Sequence, residues 1–366
     1  MKKRLRVGVV FGGRSGEHEV SLVSAASVIK ALDPTKYEVV PIGVSREGRW
    51  HVGSKVLKRL SDVFELGMAV IPSVDPKGPK FIPLDNVRPQ KARLRLDVIF
   101  PVLHGTFGED GTVQGVLELA GIPYVGAGVL GSAAGMDKDV MKRLFRDAGL
   151  PVVDWVMVLR CEWEKSAERL RRQIESKLGY PLFVKPANLG SSVGISKVHN
   201  RRELAAALAL AASYDRKIIV EKGLDAREVE CSVLGNDQPE ASVPGEIVSV
   251  NEFYDYEAKY VKEGSELVIP AKLSRAQTRL VQDLALRAFC AVDCAGMARV
   301  DFLLDRPSRK LYVNEVNTIP GFTPISMYPK MWEASRLAYP ALLDRLIDLA
   351  FERHREKERT RYDYKS

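Results

Sequence analysis

Cysteine is scarce, with four residues, Cys161, Cys231, Cys290 and Cys294, in a chain of 366. So few, so widely spread, exclude a disulfide-stapled scaffold. Cys290 and Cys294, one helical turn apart in an apolar helix, read as buried free thiols rather than a metal pair. There are only five histidines, and no Cys/His finger spacing. Basic residues outnumber acidic ones 55 to 47, yet neither the MKKRLR start nor the tail from Glu352 to Ser366 is a long arm of one sign. No basic stripe is interleaved with aromatics, so nucleic acid is not the expected partner; an anionic small substrate suits the charge as well. Long apolar runs are also missing. The longest, Leu204 to Ala212, is far below membrane-spanning length, and MKKRLR leads straight into a short strand rather than a secretory core. A soluble protein of the reducing cytoplasm, with no membrane contact, is expected. The length, with 46% hydrophobic and 28% charged residues, implies two or three globular domains. No internal repeat is visible.

What is present centres on Ala298 to Phe322. RVDFLLD and KLYVNEVN read as two strands joined by the turn-prone Asp305-Arg306-Pro307-Ser308, an antiparallel hairpin. Glu315 and Asn317 share a face, and Asp301 comes level with them if the register is right. Two carboxylates and an amide oxygen make an incomplete shell of the kind Mg²⁺ uses, leaving positions to water and phosphate. Arg299, on the same face, adds a fixed positive charge. A ribbon whose charges merely face water is the bland alternative.

The strand from Leu5 to Phe11, the turn GGRSGEHEVS and a helix from about Leu22 to Ala31 present N–H groups and a positive dipole end to a ligand. Glu17 is either a first-turn helix acid or an anchor for a substrate ammonium. Gly12, Gly13 and Gly16 only loosely match a dinucleotide fingerprint, and the next strand lacks the ribose-binding acid. DVIFPVL, from Asp97, delivers His104 to a strand end, where open α/β sheets bind ligands. Residues 46–95 read as a looser insertion, and the segment to about Gly135 as a small parallel α/β domain. From Met136 an amphipathic helix carries Lys138 in its first turn. PLFVKP and GISKV flank the small-residue loop 187–194, which offers N–H and hydroxyl groups to phosphates, with Lys185 facing it. The Walker spacing is absent, so a hairpin lid over a nucleotide is the form the residues allow. Glu221 to Leu224 reads as a hinge able to pair an adenine edge through its backbone; Glu228 is a surface acid or a ribose contact. VNEFYDYEAKYVKEG, with Tyr254, Tyr256, Lys259 and Tyr260, reads as a closing loop or a plain surface excursion. Ser274 is an expected N-cap for a helix to Ala291, and Tyr339 to Phe351 an expected closing helix.

Together, GGRSGEHEVS, LHGTFGEDGTVQG, MDKDVMK, VKPANLGSSVGISKV, EFYDYEAKY, RVDF and NEVNTIPGFTPISM resemble the ATP-grasp superfamily and, within it, the D-alanine:D-alanine ligases, from Val7 to about His354. The resemblance implies an α/β fold, α+β in its later domains: an ATP-grasp fold preceded by a small parallel-sheet, Rossmann-like domain. It implies residues 1–135 as that domain, 136–223 as the lid, 224–354 as the metal and substrate domain, and 355–366 as a charged tail outside the likeness, expected to be disordered. The implied activity joins two D-alanines through an acyl phosphate, with ATP as substrate, for peptidoglycan precursors; relatives are commonly homodimers. It implies Lys138, Lys185 and Lys259 near the phosphates, Glu221 and Leu224 at the adenine and Glu228 at the ribose, with Ser191, Ser192 and Lys222 also binding ATP. Asp301, Glu315 and Asn317 would hold two Mg²⁺, or Mn²⁺ in their place. Glu17 would hold the first ammonium with His104 nearby, and Glu17, Ser191 and Tyr260 would form a latch. Arg299 and the Gly321 N–H would meet the oxyanion, and Ser326 and Met327 the second carboxylate; many relatives have Leu where Met327 stands. The alternatives are D-alanine:D-serine or D-alanine:D-lactate ligation, a dinucleotide-dependent oxidoreductase, and a non-catalytic nucleotide-binding protein.

Overall fold

The structure is a computed structural model describing residues 3–53, 59–84, 95–191, 193–248 and 266–362. Strand β1 (Leu5–Gly12) is buried from Val7 onward on both faces, which is why its sequence is a continuous apolar run without alternation. Gly12 and Gly13, both at positive φ, turn the chain into α1 (His18–Ala31). A Cβ on Gly12 would lie 2.3 Å from the Val44 carbonyl oxygen, so only glycine fits. The helix starts four residues before the expected Leu22, with the His18 ring hydrogen-bonded to the Gly13 carbonyl at 2.8 Å. β2 (Tyr37–Val44) and β6 (Val98–Pro101) flank β1 in parallel.

The expected loose insertion is instead ordered in part. β3 (Trp50–Val52), the short α2 (Val63–Leu66), β4 (Met68–Pro72) and β5 (Phe81–Pro83) extend the sheet in the order β5-β4-β3-β2-β1-β6, with β3 to β5 antiparallel. The first sheet is therefore mixed, not wholly parallel. Strands of three to five residues interrupted by Pro and Gly are too short for a period-two signal. After α3 (Thr112–Leu119), α4 (Val129–Met136) and α5 (Lys138–Asp147) meet at Asp137, where one helix from Met136 was expected. The Asp137 carboxylate accepts from the N–H groups of Asp139 and Val140, so it ends one helix and caps the next.

The second sheet, ordered β7-β10-β8-β9, is antiparallel throughout. Its parts are β7 (Trp155–Leu159), α6 (Arg160–Leu178), β8 (Leu182–Pro186), β9 (Ser196–Val198), α7 (Arg201–Tyr214) and β10 (Lys217–Lys222). Both helices cover one face, burying Ile174, Leu204 and Leu208 against Val158, Val184, Ile218 and Val220. Alternation then sends Lys185 and Glu221 to the opposite face.

The third sheet comprises β11 (Ala226–Gly235), β12 (Glu240–Ala241), β13 (Gly245–Val248), β14 (Glu266–Val268), β15 (Gly296–Asp305) and β16 (Leu311–Asn317), with α8 (Arg275–Ala291) against one face. Ser274 caps α8 as expected, in a reciprocal capping box with Gln277. Val229, Cys231, Val300 and Phe302 point into the core under α8, alongside Met141 and Phe145 of α5. Glu230, Arg299 and Asp301 therefore face the other way.

α9 (Met327–Ala334) and α10 (Tyr339–Glu358) close the fold. Leu342, Leu346 and Ile347 of α10 share a core with Val7, Val9 and Phe100 of the first sheet and with Phe322 and Tyr328. The helix runs beyond the expected Phe351, so residues 355–358 are not a disordered tail. Arg353 donates to the carbonyls of Gly126 and Tyr124, and Lys357 pairs with Glu118. Cys294 is buried, but Cys290 is exposed, contrary to the expected pair of buried thiols. The helix ends at Ala291, so Cys294 does not lie on its inner face.

Candidate active site

The hairpin register brings the proposed donors level. Asp301 lies opposite Glu315, and Arg299 opposite Asn317, with a shift between Asp301 and Phe302, which faces Val313. Asn314 is thus an extra residue, a β-bulge that reverses the side-chain parity of β16. Val313 and Val316 both enter the core while Glu315 and Asn317 both line the cleft. Without it, Glu315 would share a face with Val313.

The cleft holds about 940 Å³. Every expected site residue within the described part of the chain lines it: Glu17, His104, Lys138, Lys185, Ser191, Glu221, Lys222, Leu224, Glu228, Arg299, Asp301, Glu315, Asn317, Gly321, Ser326 and Met327. Ser192, Lys259 and Tyr260 fall outside the described residues, as does most of the tyrosine-bearing loop.

At one end, Glu221 sits buried between two ammonium groups. Lys185 Nζ donates to Glu221 Oε2 at 2.6 Å, and Lys142 Nζ lies 3.1 Å from Glu221 Oε1. Burial alone would raise the carboxyl's pKa, but Lys142 and Lys185 outweigh it and hold it at about 2. Burial depresses Lys142, whereas for Lys185 the adjacent Glu221 carboxylate more than offsets burial and raises its pKa. Lys142 went unrecognised in the sequence. The available signal was its spacing, because it lies one turn after Lys138 on the same helix face. Lys138 Nζ donates to the Leu189 carbonyl at 2.9 Å and lies 3.6 Å from Glu315 Oε2, so it links the small-residue loop to the hairpin.

In the middle, Arg299 makes two hydrogen bonds of 2.7 Å to the Asp301 carboxylate and lies 3.2 Å from Glu230. Burial works against its charge, but Asp301 and Glu230 hold its pKa well above the ordinary arginine value. No group of three His, Cys, Asp or Glu residues forms a metal cluster among the described residues. Two opposed carboxylates and the Asn317 amide nevertheless fit a hard cation whose remaining ligands are water and phosphate. The cations now beside them, Arg299 and Lys138, show that this spot balances positive charge.

At the other end, Ser191 donates to Glu17 Oε1 across the cleft. Two glycines make room for that carboxylate: a Cβ on Gly105 would lie 2.8 Å, and one on Gly190 3.0 Å, from Glu17 Oε2. His104 is buried, its Nδ1 3.1 Å from the Ile319 carbonyl and its Nε2 3.2 Å from Ser24 Oγ, and burial lowers its pKa. Ser326 Oγ accepts from the Thr323 N–H at 3.0 Å, and Met327 opens α9, so backbone N–H groups of that helix start stand at the cleft wall. Glu109, between glycine turns, also lines this end and was not foreseen; nothing in the local period marks it.

An antiparallel lid sheet facing a second sheet across a cleft, with lysines on one wall and hard oxygen donors on the other, defines the ATP-grasp fold. Residues 6–127 match the family described as D-ala D-ala ligase N-terminus, and residues 144–348 match D-ala D-ala ligase C-terminus. The chain is 53% identical over 354 residues to a D-alanine–D-alanine ligase of Heliobacterium modesticaldum, covering 96% of each chain. Among solved structures it resembles the D-alanine-D-alanine ligase of Coxiella burnetii, with TM-score 0.83, 39% identity and 97% of each chain covered. It also resembles a D-Ala:D-Ser ligase of Enterococcus faecalis, with TM-score 0.84 and 38% identity over 95% of this chain and 100% of that one. The chain belongs to the D-Ala-D-Ala ligase family.

Proposed function

We propose that this protein is the enzyme that joins two D-alanines into D-alanyl-D-alanine, with ATP converted to ADP and phosphate, to supply peptidoglycan precursors. The full-length likeness to D-alanine–D-alanine ligases carries the reading, and one cleft lined by both the amino-acid and phosphate groups supports it.

A carboxylate is a poor electrophile, so the first D-alanine must be activated. Its ammonium is held by Glu17, with His104 beside it, and its carboxylate takes the γ-phosphoryl group as an acyl phosphate. Lys138, Lys185 and Lys259 surround the phosphates; Glu221 and Leu224 offer backbone groups to the adenine and Glu228 a carboxylate to the ribose, and Ser191, Ser192 and Lys222 also bind ATP. Asp301, Glu315 and Asn317 would hold two Mg²⁺, which would offset phosphate charge. The second D-alanine, its carboxylate at Ser326 and Met327, attacks through its amine. Arg299 and the Gly321 N–H stabilise the tetrahedral oxyanion, and phosphate leaves. The Glu17–Ser191 contact, with Tyr260 as third member, closes lid onto first domain and keeps water from the acyl phosphate. The division at residues 135, 223 and 354 is adjusted in this reading: α5 goes with the third sheet, whose core it joins, and α10 carries the last unit on to Glu358. So is a cytoplasmic location; among the described residues no helix is long and apolar enough to cross a membrane. A homodimer is proposed too, consistent with exposed Ile71, Ile82 and Leu84 on β4, β5 and just after it, at the sheet edge; sedimentation at assay concentration checks it.

Purified protein with ATP and Mg²⁺ is expected to release phosphate with D-alanine as the only amino acid. Release only after D-lactate or D-serine is added would reject D-alanyl-D-alanine synthesis. The D-Ala:D-Ser alternative has one solved neighbour in its favour, whereas the curated relatives at about half identity favour D-alanyl-D-alanine.

A further inference from the structure

Glu109 is 8% exposed, yet it lines the cleft beside Glu17 and His104. Its Oε2 accepts the Gly105 N–H at 2.7 Å, while its Oε1 is buried without a hydrogen-bond partner among the described residues. Leaving a carboxyl oxygen unpaired inside a protein is costly unless a ligand supplies the partner. The loop that carries it leaves little slack. Gly105 and Gly111 are at positive φ, and a Cβ on Gly108 would fall 2.4 Å from the Leu103 carbonyl oxygen. Gly105 also stands between the two acids, its N–H bonded to Glu109 and its α-carbon against Glu17. Two carboxyl groups thus flank one glycine at the end of the cleft where the first amino group is expected.

We propose that Glu109 is a second substrate-binding carboxyl, whose Oε1 accepts a hydrogen bond from the ammonium of the first amino acid while Glu17 accepts another. This deepens the proposed function and rests on Glu17 holding that ammonium. Two acceptors on one ammonium would fix its orientation, and so the direction in which the α-carboxylate meets the phosphoryl donor. They would also select a free amino group over a hydroxyl or an acylated amine.

Burial first, and then the Glu17 charge, raise the Glu109 pKa well above the ordinary carboxylate range, against the Gly105 N–H, Lys138 and Arg299, which favour ionisation. His104, in the same wall, is held neutral by burial. An arriving ammonium adds positive charge that favours the ionised carboxyl, and any proton displaced from Glu109 passes through the open cleft to water.

Steady-state phosphate release, with D-alanine and pH varied, tests this in wild type, Glu109→Gln and Glu109→Asp. In wild type, kcat/KM for the first D-alanine is expected to fall on the acid side as Glu109 becomes harder to ionise. Glu109→Gln is expected to raise KM for that substrate about tenfold or more, with a smaller change in kcat, and to flatten the acid limb; Glu109→Asp is expected to retain it. Thermal unfolding of each variant separates a folding defect from a binding one. An unchanged KM and pH profile in a folded Glu109→Gln protein would overturn the proposal while leaving ligation intact. No D-alanine-dependent release from wild type overturns the ligase reading itself, and the proposal with it.

Discussion

Glu221 is the residue whose environment is most sharply defined. A buried carboxylate between two ammonium groups is stabilised only while both remain, since each was stripped of water to reach it. Lys142→Met removes one partner and leaves Lys185 and the carboxylate. The expected cost is about 3 kcal/mol in urea unfolding, the low end for breaking a buried pair, together with a raised KM for ATP because Glu221, which anchors Lys185, loses its second partner. Glu221→Gln is expected to cost more, since it strands the Lys142 ammonium, whose charge burial already opposes. The pH dependence has a definite sign. The folded carboxyl titrates near 2 against an ordinary 4.5, so between those values the unfolded chain binds more protons than the folded one. Stability from this group is complete above pH 4.5 and is lost as pH falls toward 2. Glu221→Gln should abolish that part of the acid limb; an unchanged limb would show that the lysines do not hold the carboxyl as described.

Helix α5 brings Lys138 and Lys142 to the lysine-lined end of the cleft, and Asp137 is its hinge. The Asp137 carboxylate caps the first turn and also receives Lys217 at 2.9 Å, so it fixes both the helix start and its distance from the lid sheet. Asp137→Ala is expected to cost about 1–2 kcal/mol, as lost caps do. It should raise KM for ATP more than it lowers kcat, because Lys138 occupies the uncapped turn; an unchanged KM would refute that link. The capped helix, the hairpin and the lid strands were legible in the sequence because each repeats its signal. Ser274 with Gln277, alternate Val and Glu, and Lys185 beside small residues are local patterns. The Asn314 bulge was not legible. It adds a residue without altering composition, and the facing strand decides which residue is extra. Lys142 was hidden for a related reason: a lysine in an amphipathic helix reads as solvated unless another element supplies its counter-ion. Glu109 left no trace, since a carboxyl in a glycine turn is ordinary until its burial is known. The strands β3 to β5 were missed because so short a run carries no period.

At the scale of the molecule, the three sheets are not joined alike. The first and third units are welded by apolar packing, with α10, Phe322 and Tyr328 in the same core as β1 and β6. The second sheet keeps a core made only of its own strands and helices. Polar contacts attach it to the rest: Lys217 to Asp137 and Asp139, the Trp155 indole N–H to Asp139 at 2.9 Å, Asn188 to Asp137, and Ser191 to Glu17. Interfaces of that kind open far more readily than a shared core. A polyanion bound between the lid lysines and the hairpin carboxylates adds attraction across this seam, provided a divalent cation joins phosphate to carboxylate. Without the cation, Asp301 and Glu315 repel the phosphates that Lys138 and Lys185 attract. ATP with Mg²⁺ at a hundred times its Kd is therefore expected to stabilise the protein by about 2.7 kcal/mol, and to slow amide exchange in β8, β9 and the loop between them. ATP with EDTA should give much less of either effect. Equal protection with and without the metal would mean that the carboxylates of β15 and β16 do not reach the nucleotide through a cation, and that the lid is held by its lysines alone.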